Sequence, residues 1–133
     1  MSKILILKPN QEFEVKEVKG KNIPCEVLRD SVGGLIELYN FSYELEKQNI
    51  DCFVDEEYLL KGGLEPTFCE VYDGKIVNVV FGNMVFCKND EYGGSISLND
   101  DDIALIKDKL SRVCIACISD FPIPALMTCY SHK

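Results

Sequence analysis

Tryptophan is absent from this 133-residue chain, histidine occurs once, and arginine only twice, at Arg29 and Arg112. The arginine shortage matters most, because bidentate arginine forks and basic patches are what grip phosphate. With 22 acidic against 14 basic side chains the formal net charge is −8, a field that repels a polyanion. Composition therefore argues against direct binding to DNA or RNA and favours a basic protein partner. Acidity also has a plainer reading, as a solubility device with no partner behind it. No apolar run approaches the ~20 residues of a membrane helix, so no membrane span is expected. The opening Met1–Lys8 is too short, and too soon interrupted by charge, for a secretory signal. The expected location is the cytoplasm. An odd number of cysteines (Cys25, Cys52, Cys69, Cys87, Cys114, Cys117 and Cys129) fits that compartment, where thiols act as small buried hydrophobes rather than staples.

What is present suits one globular domain. Hydrophobic residues make up 47% and charged residues 27%, enough for a core and far from a disordered composition. Lys3 to Lys8 reads as a strand, Pro9-Asn10-Gln11 as a turn, and Glu12 to Val18 as a half-exposed strand returning as a hairpin. Pro24 opens a helix with Val27, Leu28 and Val32 on one stripe and Glu26, Arg29 and Asp30 outward. Gly33-Gly34 closes it, and Leu35 to Phe41 resumes as a strand. Ser42 to Asn49 reads as a polar connection and Ile50 to Val54 as a strand. Asp55 to Lys61 is one helical turn or an extended stretch. Gly62 to Pro66 reads as a loop, and Phe68 to Tyr72 as a short apolar segment ending at an Asp73-Gly74 turn. Ile76 to Cys87 is the most apolar run and predicts a buried central strand, with Gly82-Asn83 a bulge or tight bend in it. Ser97 to Asp102 signals a helix start, with Asn99 or Ser97 as cap and aspartates at the positive dipole end. Ile103, Leu105, Ile106 and Leu110 form its inner face, and apolar residues running on through Ile118 extend that helix. The tail from Asp120 is not regular helix. The fold class expected is α+β, a mainly antiparallel sheet of about five strands with two main helices packed on it.

The opening strand with Pro9, the block Leu28-Arg29-Asp30-Ser31-Val32-Gly33-Gly34-Leu35-Ile36-Glu37, the strand Ile50–Val54, Phe81-Gly82-Asn83-Met84-Val85-Phe86 and the helix after Ser97-Leu98 share a pattern. It resembles that of an uncharacterised family of small proteins found in phages, plasmids and integrative conjugative elements. The likeness covers roughly residues 3 to 111. It divides the domain 1–133 into a family-like core, 1–112, and a C-terminal extension, 113–133. It implies an accessory protein of a mobile element in a bacterial host cell, and carries over no catalytic residue.

Cys114, Cys117, Cys129 and His132 read C-x2-C-x11-C-x2-H, a spacing that zinc uses. Their apolar surroundings oppose that reading, and two buried cysteines with a frayed terminus explain the same residues. The expectation is no cofactor, with zinc as the alternative. A redox pair at Cys114 and Cys117 would sit after a helix start rather than at one, the wrong place for a lowered thiol pKa. Gly33-Gly34 follows a helix and precedes a strand, the reverse of a phosphate loop. His132 is penultimate and expected to be mobile, which makes it a poor base, so no catalytic residue is assigned and no enzyme activity expected.

Binding is better supported. Arg29, Asp30, Tyr39, Tyr43, Asp55, Glu56, Glu57 and Tyr58 combine aromatic and acidic groups near strand ends and loops, a composition suited to protein recognition. The function expected is a non-enzymatic accessory protein that binds and inhibits a host protein, the expected class of target being a basic, nucleic-acid-binding component of a defence system. An exposed sheet edge would also allow a homo-oligomer. One rival is a sponge for a signalling nucleotide, with Arg29, Arg112, Lys61 and Lys88 converging on phosphate. Another is a small zinc-binding or redox protein.

Overall fold

Ten strands and three helices follow one another in the computed structural model, which describes residues 1–57, 63–117 and 124–132. In chain order they are β1 (Ser2–Leu7), β2 (Phe13–Val18), α1 (Cys25–Val32), β3 (Ile36–Leu38), α2 (Tyr43–Lys47), β4 (Ile50–Asp55), β5 (Pro66–Tyr72), β6 (Lys75–Phe81), β7 (Met84–Asn89), β8 (Ser95–Ile96), α3 (Asp100–Lys109), β9 (Arg112–Cys117) and β10 (Pro124–His132). The class is α+β. The larger sheet runs β2-β1-β7-β4-β3, five antiparallel strands, with β8 added to β7. A second sheet, β6-β5-β10-β9, is antiparallel except where β10 runs parallel to β5.

The central strands of the larger sheet are apolar on both faces because both faces are covered. From β1, Leu5 and Leu7 enter one core while Ile4 and Ile6 enter another; β7 divides Met84 and Phe86 from Val85 and Cys87 in the same way. The second of these cores is closed by Leu28 and Val32 of α1. The first is closed by Ile106 and Leu110 at α3 and by Phe68 and Val80 of the second sheet. Phe41 sits at that junction, its ring centroid 4.7 Å from Phe68, 5.3 Å from Tyr130 and 6.4 Å from Phe86.

Local chemistry sets the boundaries. Gly33 ends α1 at φ +93, its amide donating to the carbonyl of Arg29 at 2.7 Å. Asn99 and Asp102 form a capping box at the start of α3, each side chain accepting from the other's amide. Asp73 and Gly74 both take positive φ, 51 and 75, the pairing that a tight two-residue hairpin between β5 and β6 requires.

Several sequence expectations change. The run Ile76–Cys87 is two strands in different sheets: β6 lies on the edge of the second sheet, and only β7 is central and buried. Gly82, at φ +84, is where the chain passes from one sheet to the other. Its carbonyl accepts from the Thr67 hydroxyl and its amide donates to the Glu65 carbonyl at 2.9 Å. Ser42 to Asn49 contains α2, capped by Ser42 Oγ, which accepts from the amide of Leu45 at 3.3 Å. The strand predicted over Leu35 to Phe41 shortens to β3. Residues 113–117 do not prolong α3; the chain turns at Ser111 and becomes β9, because β10 offers that segment a ladder partner. The tail is paired rather than frayed at His132, since β10 pairs with β5 through Tyr72. The expectation for Asp55 to Lys61 falls largely outside the described residues. No helix of the described residues is long and apolar enough to cross a membrane.

Candidate functional site

Two clefts draw together residues with recognisable chemistry. The first lies where α1 ends against β3, with a volume of ≈ 590 Å³ and a lining of Arg29, Asp30, Gly33, Gly34, Leu35 and Glu57. Three residues singled out from sequence, Arg29, Asp30 and Glu57, thus meet in one place. Glu56 adjoins them, its amide donating to the Leu35 carbonyl at 2.8 Å. Asp55 is buried beneath, and its Oδ1 accepts from the Glu57 amide at 2.9 Å. Among the described residues this is also the open edge of the larger sheet, because β3 pairs with β4 and lies last in the strand order. Leu35 and Leu38 are about half exposed there, beside the exposed carboxylates of Asp30, Glu37, Glu56 and Glu57.

The predicted aromatic residues do not join them. Tyr39 points to the junction of the two sheets, where its hydroxyl donates to Glu70 Oε1 at 2.5 Å. Burial, and then this hydrogen bond, push its pKa well above the usual phenol value. Tyr43 is exposed at the start of α2. Tyr58 lies outside the described residues.

The second cleft, ≈ 620 Å³, opens between the C-terminal end of α3 and the end of β10. β9 begins at Arg112, opposite Cys129, so Tyr130, Ser131 and His132 extend beyond it and border this space. Lys109 pairs with Glu44 at 3.2 Å, and the Tyr130 hydroxyl donates to the same carboxylate at 3.1 Å. Those two contacts hold the Glu44 carboxyl below its usual range. His132 Nε2 lies 2.6 Å from Glu70 Oε2, so one half-buried carboxylate holds both Tyr39 and His132. Sequence reasoning missed this group, because Glu70 and His132 are 62 positions apart and no local pattern links them.

Among the described residues no serine or cysteine side chain is hydrogen-bonded to His132, whose Nε2 is taken by Glu70. Ser131 is its neighbour in a strand, and adjacent strand residues face opposite ways. Cys129, three positions back, falls on the far face with Cys69 and Met127. The same parity separates the proposed zinc ligands: Cys114 packs with Cys129 on that far face, while His132 is on the near face with Glu70. Cys114, Cys129 and His132 therefore do not converge. Among the described residues no group of three or more His, Cys, Asp or Glu side chains is arranged to hold a metal ion. The cations of the nucleotide reading are also apart. Arg29 and Arg112 line different clefts, Lys88 pairs with Asp102 at 3.2 Å, and Lys61 lies outside the described residues.

Fold and site thus define a two-sheet α+β protein with a free, acidic sheet edge and no assembled catalytic constellation among the described residues. The chain belongs to the family described as Domain of unknown function (DUF3846), whose model matches residues 1–111. No curated protein and no solved structure gives a significant match. The family region ends where β9 begins, so both strands that complete the second sheet, β9 and β10, lie beyond it.

Proposed function

We propose that this protein is a non-enzymatic accessory protein of a mobile element that binds and inhibits a basic host protein through the β3 edge. The observation that carries this reading is the edge itself. Leu38 at the end of the terminal strand and Leu35 just before it are both half exposed, and the carboxylates of Asp30, Glu37, Glu56 and Glu57 are exposed around the same edge. Exposed apolar side chains among exposed charges suit a recognition surface, and the sign of the charge calls for a basic partner. The strand's outer edge can also accept an added strand, whose main-chain hydrogen bonds supply affinity. The mobile-element setting comes from the sequence resemblance, and a nucleic-acid-binding component of a defence system is the class of partner that meets the charge requirement.

The test is native mass spectrometry of the chain expressed in a bacterial host, repeated with Leu38→Asp and with Glu56→Lys/Glu57→Lys. A basic host protein that co-purifies with the wild type, loses its own activity in the complex and is released by both variants supports the reading. A complex indifferent to both variants, or a partner whose activity is unchanged, removes it.

A further inference from the structure

Among the described residues the strand orders of the two sheets end in β2 and β3 for the larger and in β6 and β9 for the second. An edge strand is a template for further pairing unless charge, a proline or a bulge blunts it. For pairing with a second copy of the same chain, three of these edges are blunted. β2 exposes Glu14 and Glu17, and β3 exposes Glu37, so either would set carboxylate near carboxylate. β6 is bulged: Glu70 pairs with Asn78 and Val71 with Ile76, which leaves Val77 opposite no residue of β5. β9 has none of these devices. Its six residues include no carboxylate and no proline, and its register with β10 runs from Arg112 to Cys117 without a break.

Side-chain alternation gives β9 an exposed apolar face. Cys114 turns toward Cys69, their Sγ atoms 3.4 Å apart, so Val113 and Ile115 on either side of it take the other face of the sheet. Ile115 stands in register opposite Leu126 of β10. Val113, Ile115 and Leu126 are 49%, 73% and 53% exposed and form one apolar patch along the rim. We propose that this rim is a dimer interface, in which β9 pairs antiparallel with β9 of a second copy and joins the two four-stranded sheets into one.

Charge selects a second copy as the occupant. Two chains of net charge −8 repel at long range, so they meet only where acidic groups are few. Arg112 is the one charged residue of β9, and a contact of β9 with itself sets no carboxylate of the strand against another. An antiparallel pair of identical strands is related by a two-fold axis perpendicular to the sheet. The patches of both copies therefore lie on the same face and adjoin across the axis. Such a contact closes at two copies, whereas β9 against β6 would propagate into a fibre. Main-chain hydrogen bonds supply the pairing, and cross-strand contacts of Val113 and Ile115 with their counterparts add to it. β9 and β10 lie beyond the family-matched residues 1–111, which makes the dimer a property of this chain's own C-terminal strands. It involves neither β3 nor the carboxylates around it, so it stands independently of the function proposed above.

The test is analytical ultracentrifugation of the full-length chain, kept reduced so that no intermolecular disulfide contributes, with hydrogen exchange at low and high protein concentration. A monomer–dimer equilibrium is expected, tightening as salt rises, because screening weakens the repulsion between two acidic chains. Ile115→Lys sets like charges close to the two-fold axis and should weaken the dimer by at least about tenfold. Ile76→Lys, at the β6 edge, should leave it unchanged. In the wild type the amides of β9 should exchange more slowly at the higher concentration, and those of β6 at the same rate. A chain monomeric up to about 1 mM overturns the proposal. So does a dimer that salt dissociates, one as sensitive to Ile76→Lys as to Ile115→Lys, or β9 exchange independent of concentration. The exchange measurement needs no variant, so it decides the matter even if Ile115→Lys fails to fold.

Discussion

Nε2 of His132 and Oε2 of Glu70 are 2.6 Å apart, which ties the end of the last strand to the middle of β5. The other oxygen of the same carboxylate accepts from Tyr39, so Glu70 anchors both the loop after β3 and the end of β10. Replacing His132 with Ala should cost about 1.5–3 kcal/mol, the range for a hydrogen bond to a charged group. Tyr39→Phe should cost about 1–2 kcal/mol. Because both partners share one carboxylate, the double variant should depart from the sum of the two. Urea unfolding of the four proteins checks this; strict additivity would show that Glu70 does not couple them.

Gly82 marks the passage of the chain between the two sheets. A side chain there meets ordinary contact with Leu64, its Cβ 3.6 Å from Leu64 Cδ1, so space is not the obstacle. The obstacle is φ +84, a left-handed conformation costing an L-residue about 1–2 kcal/mol. Gly82→Ala should therefore lower stability by that amount, and Gly82→Val by more, since a β-branched residue tolerates this region worse. Thermal unfolding of the two variants should preserve the order; a neutral Gly82→Val would remove the argument.

How far the sequence reveals this fold depends on which forces are local. The β1–β2 hairpin, the Gly33 stop and the Asn99 capping box were legible because each follows from neighbours within a few positions. The division of Ile76–Cys87 was not, since apolar content alone does not say which sheet a strand joins. β9 and β10 were obscure for a related reason: Val113 to Cys117 is apolar enough to continue a helix, and only β10, itself paired to β5, makes it a strand. The same locality governs the site. Arg29, Asp30 and Glu57, which line the first cleft, could be singled out from sequence because they flank recognisable breaks. The Glu70–His132–Tyr39 group and the Cys69–Cys114 contact arise from strand pairing between distant segments, which spacing within the chain does not encode.

Asp102 both caps α3 and accepts from Lys88 Nζ at 3.2 Å through each of its oxygens, while being almost fully buried itself. Asn99→Ala should cost about 1 kcal/mol through the lost cap alone. Asp102→Ala removes the cap and leaves the Lys88 ammonium unpaired, so about 3 kcal/mol is expected. Lys88 belongs to β7, a central strand, so the loss should appear as lower global stability rather than local fraying. A shift for Asp102→Ala no larger than that for Asn99→Ala would mean that Lys88 finds another partner.

Stability should fall on the alkaline side because buried thiols resist ionisation. Burial, with smaller contributions from neighbouring charges, raises Cys52 well above its ordinary value of 9.0 and brings Cys87 to about 12. Below pH 9 these thiols are protonated whether the chain is folded or unfolded, and their contribution to stability is fully present. Above pH 9 the unfolded chain loses protons that the folded chain keeps, so stability is lost progressively up to about pH 12. At pH 10.5 the loss from Cys87 alone should be about 2 kcal/mol. Urea midpoints measured from pH 8 to 10.5 on fully reduced protein should therefore decline. Cys87→Ala should make that decline shallower, whatever it does to stability at pH 8, while Cys25→Ala, at an exposed position, should leave the slope as it is. A wild-type midpoint constant over this interval would show that Cys52 and Cys87 ionise as readily in the folded protein as in the unfolded chain.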